Sequence, residues 1–431
     1  GMEADELADD MTPLFQMIID KVPVPKVDPE GPLQMQVSAL DYDSYVGVIG
    51  IGRIVRGTLS PGQQVVIKDL HGKERKGKVL NVKGYHGLER IDTDKATAGD
   101  IVCINGIDGL SISDTLCDPE HVEAMPALTV DEPTVSMTFM VNDSPFAGLD
   151  GKYVTSRNIK DRLDQELIHN VALRVEQGDT ADKFKVSGRG ELHLSVLIET
   201  MRREGYELGV SRPQVVQKMV GDELQEPYEN VVIDIEEDHQ GSVMEELGLR
   251  KAELTNMEPD GRGRVKLEFN VPSRGLIGFR GHFLTLTSGS GIMTSVFDRY
   301  DAVKSGDVVS RQNGVLISMM KGKTLAYSLF TLQTRGRLFL GHATDVYEGQ
   351  IIGIHSRSND LTVNPTKAKQ LTNIRAAGTD ENLVLSPPIK QTLEQALEFI
   401  EDDELVEVTP NHIRLRKKLL TENERKRGVK K

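Results

Sequence analysis

The sequence predicts a multidomain protein of the β and α+β classes. Three observations support this fold class: residues 32–118 hold short β-like runs without a convincing helix, two similar segments in the order βαββαβ follow, and residues 307–431 return to β-like runs. A length of 431 residues suggests about three domains of ordinary size. The predicted architecture is a small closed β-barrel, two α+β sandwiches, and a β-rich C-terminal domain with one main helix.

The composition is that of a folded protein, with 38% hydrophobic and 27% charged residues. The sequence contains no apolar run of 18 residues and no signal-peptide pattern, so we expect neither membrane spanning nor secretion. Cys103 and Cys117 are too few for a disulfide framework or a multi-thiolate zinc site. We therefore expect buried thiols in a protein of the reducing cytoplasm.

The charge is distributed unevenly along the chain. The net charge of −14 argues against a nucleic-acid partner, yet residues 307–431 hold 19 Lys/Arg against 15 Asp/Glu. An acidic body with a basic end is typical of a protein that contacts RNA through one region. A solvated basic tail explains the same charges equally well.

The N-terminal residues predict a helix over 12–22 that ends in a proline-rich linker. We interpret residues 1–31 as the end of a preceding domain and its linker. From Leu33 the apolar residues alternate with polar ones, which predicts a strand, and Gly-bearing turns separate the further β-like runs of the barrel over 32–118.

Two similar units follow a proline-containing linker at 119–133. The first, over 134–218, predicts strands at 134–142, 171–177, 183–188 and 206–216 and helices at 156–170 and 191–205. The second, over 226–306, predicts strands at 228–236, 253–257, 264–271 and 292–298 and helices at 240–252 and 275–287. Each has the βαββαβ order of a ferredoxin-like domain.

The C-terminal domain is predicted over 307–431. It is β-like to about residue 363, including the run TLAYSLFTL at 324–332, and a polar loop follows. A helix is predicted at 392–401, because its apolar residues share one face, and a frayed basic tail beyond about 422.

Motifs for catalysis are weak. The nearest match to a phosphate-binding P-loop ends in Gly322-Lys323-Thr324, but Ile317 stands where the motif needs glycine, and the flanking runs are β-like. The sequence has no N-K-x-D, no G-x-S-x-G, and no paired zinc-binding histidines. We expect no catalytic residues, no metal site and no cofactor in this chain, which should not be an enzyme by itself.

Glycine and arginine recur at the edges of the two α+β units, among them Arg274 and Arg280. Ordinary turn chemistry explains each glycine, while glycine with arginine also suits a surface that contacts an RNA backbone. The recurrence in both units favours the RNA surface.

Longer segments carry a resemblance to known proteins. SYVGVIGIGRIVRGTLSPGQQVVI (44–67) resembles the β-barrel domain of translational GTPases such as elongation factors Tu and G. Residues 186–216 and 226–300 resemble the third and fifth domains of factor G, and Val216 and Glu226 are only ten positions apart, which leaves no room for its long fourth domain. That departure leaves the LepA and BipA/TypA groups, and the segments at 270–293 and 355–420 resemble BipA/TypA specifically.

The resemblance implies a C-terminal fragment of a GTPase that acts in ribosome assembly and in adaptation to cold and other stress. In that family, GTP and Mg²⁺ bind to the N-terminal GTPase domain, which we expect to be missing here. The implied partner is the ribosome, through ribosomal RNA and the tRNA acceptor arm, with no membrane, a monomer off the ribosome, and a cytoplasmic location.

The family's ribosome-binding loop corresponds to about 359–380 in this sequence. Flexible cations suit phosphates, and Asn and Thr suit sugar or base edges. An ordinary solvent loop, a protein-interaction scaffold, and the equivalent part of a LepA-type factor are the alternatives. The predicted RNA- or ribosome-binding residues are Lys367, Lys369, Thr372, Asn373, Arg375, Arg357, Arg274, Arg280, Arg414, Arg416, Lys417 and Lys418.

Overall fold

The computed structural model describes residues 11–24, 26–43, 45–128, 133–306, 311–368 and 384–428. The chain divides into two compact units. One unit consists of residues 1–130 with 168–171, and the other of residues 131–167 with 172–431. Separate clusters of buried apolar side chains support the two units.

The first unit begins with helix α1 (Thr12–Lys21), as predicted. Pro13 is tolerated because it lies in the first turn, where the backbone N–H has no partner within the helix. The helix ends at Val22, which takes an extended conformation before the proline-rich segment. None of its residues is buried.

The barrel domain is built from short strands around one apolar core. The strands are β1 (Gln34–Asp43), β2 (Gly47–Arg56), β3 (Thr58–Leu59), β4 (Gln64–Lys68), β5 (Glu74–Lys78), β6 (Val82–His86), β7 (Glu89–Asp92), β8 (Ala96–Thr97), β9 (Ile101–Ile104) and β10 (Thr115–Cys117). The main sheet has the order β5-β4-β10-β1-β2-β9-β6-β7, and β3 pairs with β8. Leu33, Met35 and Val37 are buried in its core, and the intervening Gln34 and Gln36 are buried as well, because their amides donate to the Glu123 and Pro126 carbonyls.

Both cysteines of the barrel are buried, as predicted. The Cys103 thiol on β9 donates to the Tyr85 hydroxyl over 3.1 Å. On β10, burial raises the pKa of the Cys117 thiol, and a thiol with a raised pKa is a poor nucleophile at neutral pH.

The second unit opens with the first βαββαβ domain. Its elements are β11 (Val135–Val141), α2 (Ser156–His169), β12 (Arg174–Gln177), β13 (Lys183–Gly188), α3 (Glu191–Glu204), β14 (Leu208–Val210) and β15 (Gln214–Val215). Strands pair in the order β12-β13-β11-β14, and β15 also pairs with β11. α3 ends at Gly205, whose φ of +100° suits glycine at a helix C-terminus.

The second βαββαβ domain also follows the predicted order. Its elements are β16 (Lys218–Val220), β17 (Glu223–Glu236), the 3-10 turn Glu237–His239, α4 (Gln240–Leu249), β18 (Glu253–Pro259), β19 (Arg264–Pro272), α5 (Ser273–Leu276), α6 (Phe279–Leu286) and β20 (Ile292–Ala302). The single helix predicted over 275–287 is wrong in one respect. Gly278 adopts a φ of +69°, which interrupts the helix between α5 and α6.

The C-terminal domain is rich in short strands. Its elements are β21 (Val315–Ser318), β22 (Gly322–Lys323), α7 (Ala326–Leu332), β23 (Gly336–Leu338), β24 (Asp345–Val346), β25 (Gln350–His355), β26 (Leu361–Val363), α8 (Leu393–Phe399), β27 (Glu404–Val408), β28 (Ile413–Lys417) and α9 (Glu422–Gly428). α8 confirms the predicted main helix, and Thr392 with Gln395 forms its capping box.

Two local predictions for this domain are wrong. The run TLAYSLFTL contains helix α7 instead of a strand. Its buried residues Ser328, Leu329 and Leu332 lie on one helical face, so packing overrides the β preference of its Thr, Tyr and Phe residues. The predicted frayed tail is helical over Glu422–Gly428, although none of its residues is buried.

One sheet joins the first βαββαβ domain to the C-terminal domain. β14 pairs antiparallel with β27 through Leu208↔Val408 and Val210↔Val406, and the sheet continues through β28 and β25 to β21 and β26. At its end, the Asp150 carboxylate accepts a hydrogen bond from the Thr409 hydroxyl over 2.8 Å. These two segments therefore share a core, in which Phe139, Leu197 and Leu397 are all buried.

Candidate nucleic-acid interface

The described part of the predicted loop, 359–368, is held firmly at its root. The Asp360 carboxylate accepts a hydrogen bond from the Val315 backbone N–H over 2.9 Å. The Ser328 hydroxyl donates to the Asn364 carbonyl, and Leu325 N–H donates to the Pro365 carbonyl over 3.1 Å. Lys367 follows this anchored stretch and is exposed. The structure thus presents one predicted cation on a fixed support.

Four other predicted residues of this loop lie outside the described residues: Lys369, Thr372, Asn373 and Arg375. Arg357, just before the loop, is exposed, and its backbone carbonyl accepts a hydrogen bond from Gly314 N–H over 2.8 Å. Arg357 and Lys367 therefore lie near the two ends of the described part of the loop, residues 359–368.

The two predicted arginines of the second βαββαβ domain have different environments. Arg274 Nε lies 2.7 Å from Oε2 of Glu226, a fully buried carboxylate. The same guanidinium donates to the Lys304 and Gly306 carbonyls, so Arg274 ties α5 to the end of β20. Arg280 on α6 is exposed and remains available at the surface.

The basic run at the C-terminal end is mostly internal. Arg414 Nη1 lies 2.7 Å from Glu407 Oε1, and Arg416, only 1% exposed, pairs with Asp143. Lys417 is 3% exposed and its ammonium contacts three carboxylates. β28 lies between β27 and β25 in the sheet, and its last three residues, Leu415, Arg416 and Lys417, are buried. The expected exposed patch is therefore reduced to Lys418, which is exposed.

The carboxylates around Lys417 also determine the protonation state of its ammonium group. Burial by itself would lower the pKa of the Lys417 ammonium, but Glu404, Asp360 and Asp403 raise it above its ordinary value. Lys417 therefore carries its positive charge as part of the fold.

Sequence reasoning overlooked Lys183 and Lys185 on β13. The two lysines alternate with the buried Phe184 and Val186, so they share the other sheet face. The alternation K-F-K-V in the printed sequence was the signal that could have identified them.

A crevice of about 340 Å³ lies between α3, α6 and α8. Glu191, at the start of α3, faces Glu394 and Glu398 of α8 there. Burial, with a further contribution from the Glu398 charge, raises the pKa of Glu191 to about 7. Glu229 also lines the crevice, and four carboxyl groups in this place do not favour an RNA phosphate, although Arg280 is a lining residue as well.

The nearest P-loop match does not have the geometry of a phosphate cradle. Gly322 and Lys323 form strand β22, which pairs with β24. Thr324 is fully buried, and its hydroxyl donates to the Gly341 carbonyl over 2.7 Å. Its oxygen and proton are thus already used inside the domain.

No group of three or more His, Cys, Asp or Glu side chains is arranged to hold a metal ion within the ranges that the structure describes. Within the same ranges, no helix is both long enough and apolar enough to cross a membrane.

Three family models match three separate parts of the chain, which correspond to the barrel, the second βαββαβ domain and the C-terminal domain. Residues 47–117 match the model of elongation factor Tu domain 2, and residues 223–310 match the elongation factor G C-terminus. Residues 313–422 match the TypA/BipA C-terminal domain.

The sequences of several relatives align with nearly the whole chain. The protein named large ribosomal subunit assembly factor BipA from Escherichia coli O6:H1 is 65% identical over 428 residues, which cover 99% of this chain and 70% of the relative. The chain belongs to the BipA family. The proteins of the same name from Salmonella typhimurium and Haemophilus influenzae are 64% and 62% identical over the same shares of the two chains. Membership of the BipA family confirms the predicted resemblance and decides against the LepA alternative.

Proposed function

We propose that this chain is the ribosome-docking portion of a BipA-type translational GTPase that acts in assembly of the large ribosomal subunit. The observation that carries the proposal is the 65% identity, over 99% of the chain, to a protein named for that role. Because ribosomes are assembled in the bacterial cytoplasm, the proposed location is cytoplasmic. The proposed partner is ribosomal RNA, with the tRNA acceptor arm as a further contact, and the chain is proposed to be monomeric off the ribosome.

The proposed RNA-contacting residues are those whose charge is free to face a partner. Lys367, Arg357, Arg280 and Lys418 are exposed, and Lys369, Thr372, Asn373 and Arg375 extend the proposal along the loop sequence. Arg274, Arg414 and Lys417 support the fold through buried carboxylates. Neutralising these three residues would test stability rather than docking.

The C-terminal loop is tested by sedimentation with large ribosomal subunits. We expect the variant K367Q/K369Q/R375Q to cosediment less, and its binding to depend less steeply on salt, by about 2 to 3 in the slope of log K against log[salt]. The control K73Q/K76Q/K78Q removes three exposed charges from the barrel. Sedimentation of the loop variant at the wild-type level at every salt concentration would exclude the loop. A shallow slope for the wild-type protein would instead favour docking through ribosomal proteins.

We also propose that GTP and Mg²⁺ bind outside this chain, in the GTPase domain that the family carries. The geometry around Lys323 and Thr324 supports this, since Lys323 belongs to strand β22 and the hydroxyl of the buried Thr324 donates to the Gly341 carbonyl. Titration of the chain with a fluorescent GTP analogue is expected to show no micromolar binding. Micromolar affinity would overturn this part of the proposal.

A further inference from the structure

One face of the shared sheet carries unneutralised lysines. Lys183 and Lys185 of β13 pair across the strands with Met140 and Thr138 of β11, so all four residues lie on the same face. This is the face opposite Phe184, which is buried in the core. The two lysine side chains therefore point away from the core.

The C-terminal hairpin brings further cations to the same face. Leu405 of β27 is paired with Arg416 of β28, and Lys418 follows at the next alternate position. Lys183, Lys185, Arg416 and Lys418 all line one cavity of about 530 Å³. Residues more than 230 positions apart in the sequence are thus brought together by the β14–β27 pairing.

The charge of this cavity is positive. Its lining contains four cationic side chains and two acidic ones, Asp143 and Asp179. Asp143 pairs with Arg416, while Lys183, Lys185 and Lys418 form no ion pair in the part of the chain that the structure describes. Most other cations of the hairpin are matched to carboxylates, as Arg414 and Lys417 show. An anionic partner would therefore complete this cavity.

The lining also indicates which part of a nucleic acid would enter. None of the lining residues that the structure describes is aromatic, so the cavity offers no platform for base stacking. Lysine ammonium groups act as point charges toward phosphate, and the Thr138 hydroxyl can add a neutral hydrogen bond. These features fit a phosphate group better than a base.

We propose that this cavity binds a phosphodiester of an RNA backbone, independently of base sequence. The proposal deepens the proposed function and rests on it in one respect, since the RNA is taken to be ribosomal. Arg416 and Asp143 form an ion pair in the wall of the cavity. The three lysines, which have no such partner, provide the positive charge that contacts the phosphate. The site is separate in sequence from the loop at 359–380.

Binding to a short RNA duplex of mixed sequence tests the cavity without ribosomes. The variant K183Q/K185Q is expected to bind more weakly, with a salt slope shallower by about 1.8 if each lysine contacts one phosphate. K418Q removes one lysine instead of two, so the change in its salt slope is expected to be about half as large. The control K152Q/K160Q removes two exposed lysines from the segment before α2 and from α2 itself. Unchanged affinity and slope in K183Q/K185Q would overturn the proposal.

A poly-glutamate peptide of matched charge distinguishes phosphate from carboxylate. We expect the peptide to bind more weakly than the RNA and to be insensitive to K183Q/K185Q. Equal binding of both probes, with equal losses in the variant, would overturn the assignment to RNA phosphate.

Lysine acetylation on large ribosomal subunits separates this proposal from the proposed function. Protection of Lys183, Lys185 and Lys418, but not of Lys160, is the expected result. If the wild-type chain cosediments while these lysines stay reactive, the cavity proposal fails and the proposed function remains. If the chain does not cosediment but the duplex result holds, the cavity proposal remains and the proposed function fails.

Discussion

Lys417 and Glu404 form an ion pair across the β27–β28 hairpin, with 2.9 Å between Nζ and Oε1. The lysine side chain is 3% exposed and the carboxylate is fully buried. Arg311 lies 2.9 Å from the same carboxylate oxygen. Burial would raise the pKa of Glu404, but Arg311 and Lys417 lower it below its ordinary value. A basic segment that reads as an RNA-binding tail therefore stabilises the C-terminal domain.

Removing this buried carboxylate should be costly. We expect E404Q to lower the free energy of unfolding by about 3 to 5 kcal/mol, because Arg311 and Lys417 then lose a buried counter-charge. Urea denaturation monitored by circular dichroism provides the measurement. The control D403N removes an exposed carboxylate from the same lysine and should cost less than about 1 kcal/mol. Equal effects of the two variants would contradict this assignment.

Glu191 should make stability depend on pH. Its pKa of about 7 lies above the ordinary value of 4.5, so the folded protein holds a proton that the unfolded chain releases between these values. The stability contribution of this group is therefore present at low pH and is lost as pH rises from about 4.5 to 7. The full difference corresponds to about 3 kcal/mol.

The variant E191Q should remove that loss. We expect it to be more stable than wild type at pH 8 and closer to wild type at pH 5, as measured by urea midpoints. The amide oxygen can still accept from the Gly278 N–H, which lies 3.4 Å from Glu191 Oε2. E176Q on β12 changes an exposed carboxyl and should shift neither midpoint much. A pH dependence identical in E191Q and wild type would exclude Glu191 as its source.

Gly336 should tolerate no side chain. A Cβ atom at this position would lie 1.8 Å from the Ile354 carbonyl oxygen, on the strand that β23 pairs with. G336A should destabilise the domain by about 1 to 3 kcal/mol, because backbone must move to make room. G341A is the control, since its nearest neighbour there is the Pro388 ring at 4.0 Å. Thermal unfolding of both variants tests the difference.

Glu207 should organise the loop before α2. Its buried carboxylate accepts hydrogen bonds from the backbone N–H groups of Gly148, Asp150 and Gly151, at 2.8, 2.9 and 2.6 Å. E207Q replaces one acceptor oxygen by a donor, so at least one N–H loses its partner, at a cost of about 1 to 3 kcal/mol. Hydrogen exchange of these three amides should accelerate in E207Q and remain at the wild-type rate in E223Q, which changes an exposed residue.

Local elements were well predicted where the apolar period was clear. α3 was expected at 191–205 and spans Glu191–Glu204, and β13 spans the predicted residues 183–188. α7 was missed because seven residues are too few for the spacing of the apolar side chains to distinguish a helix from a strand, and Thr, Tyr and Phe favour strands. The helical conformation of α7 depends on the burial of Leu329 and Leu332 inside the C-terminal domain.

The amino-acid sequence alone determined the order of the elements, the two βαββαβ units and the family, because these depend on periodicity and on motifs that are local in the chain. Only the tertiary structure decided which cations are exposed and which are paired with carboxylates inside the fold. Arg416 and Lys183 both line one cavity, but Arg416 is 1% exposed and paired with Asp143, whereas Lys183 forms no ion pair among the described residues. That difference depends on which carboxylates the sheet pairing brings near each charge, and the Arg416–Asp143 contact joins residues that are 273 positions apart in the sequence.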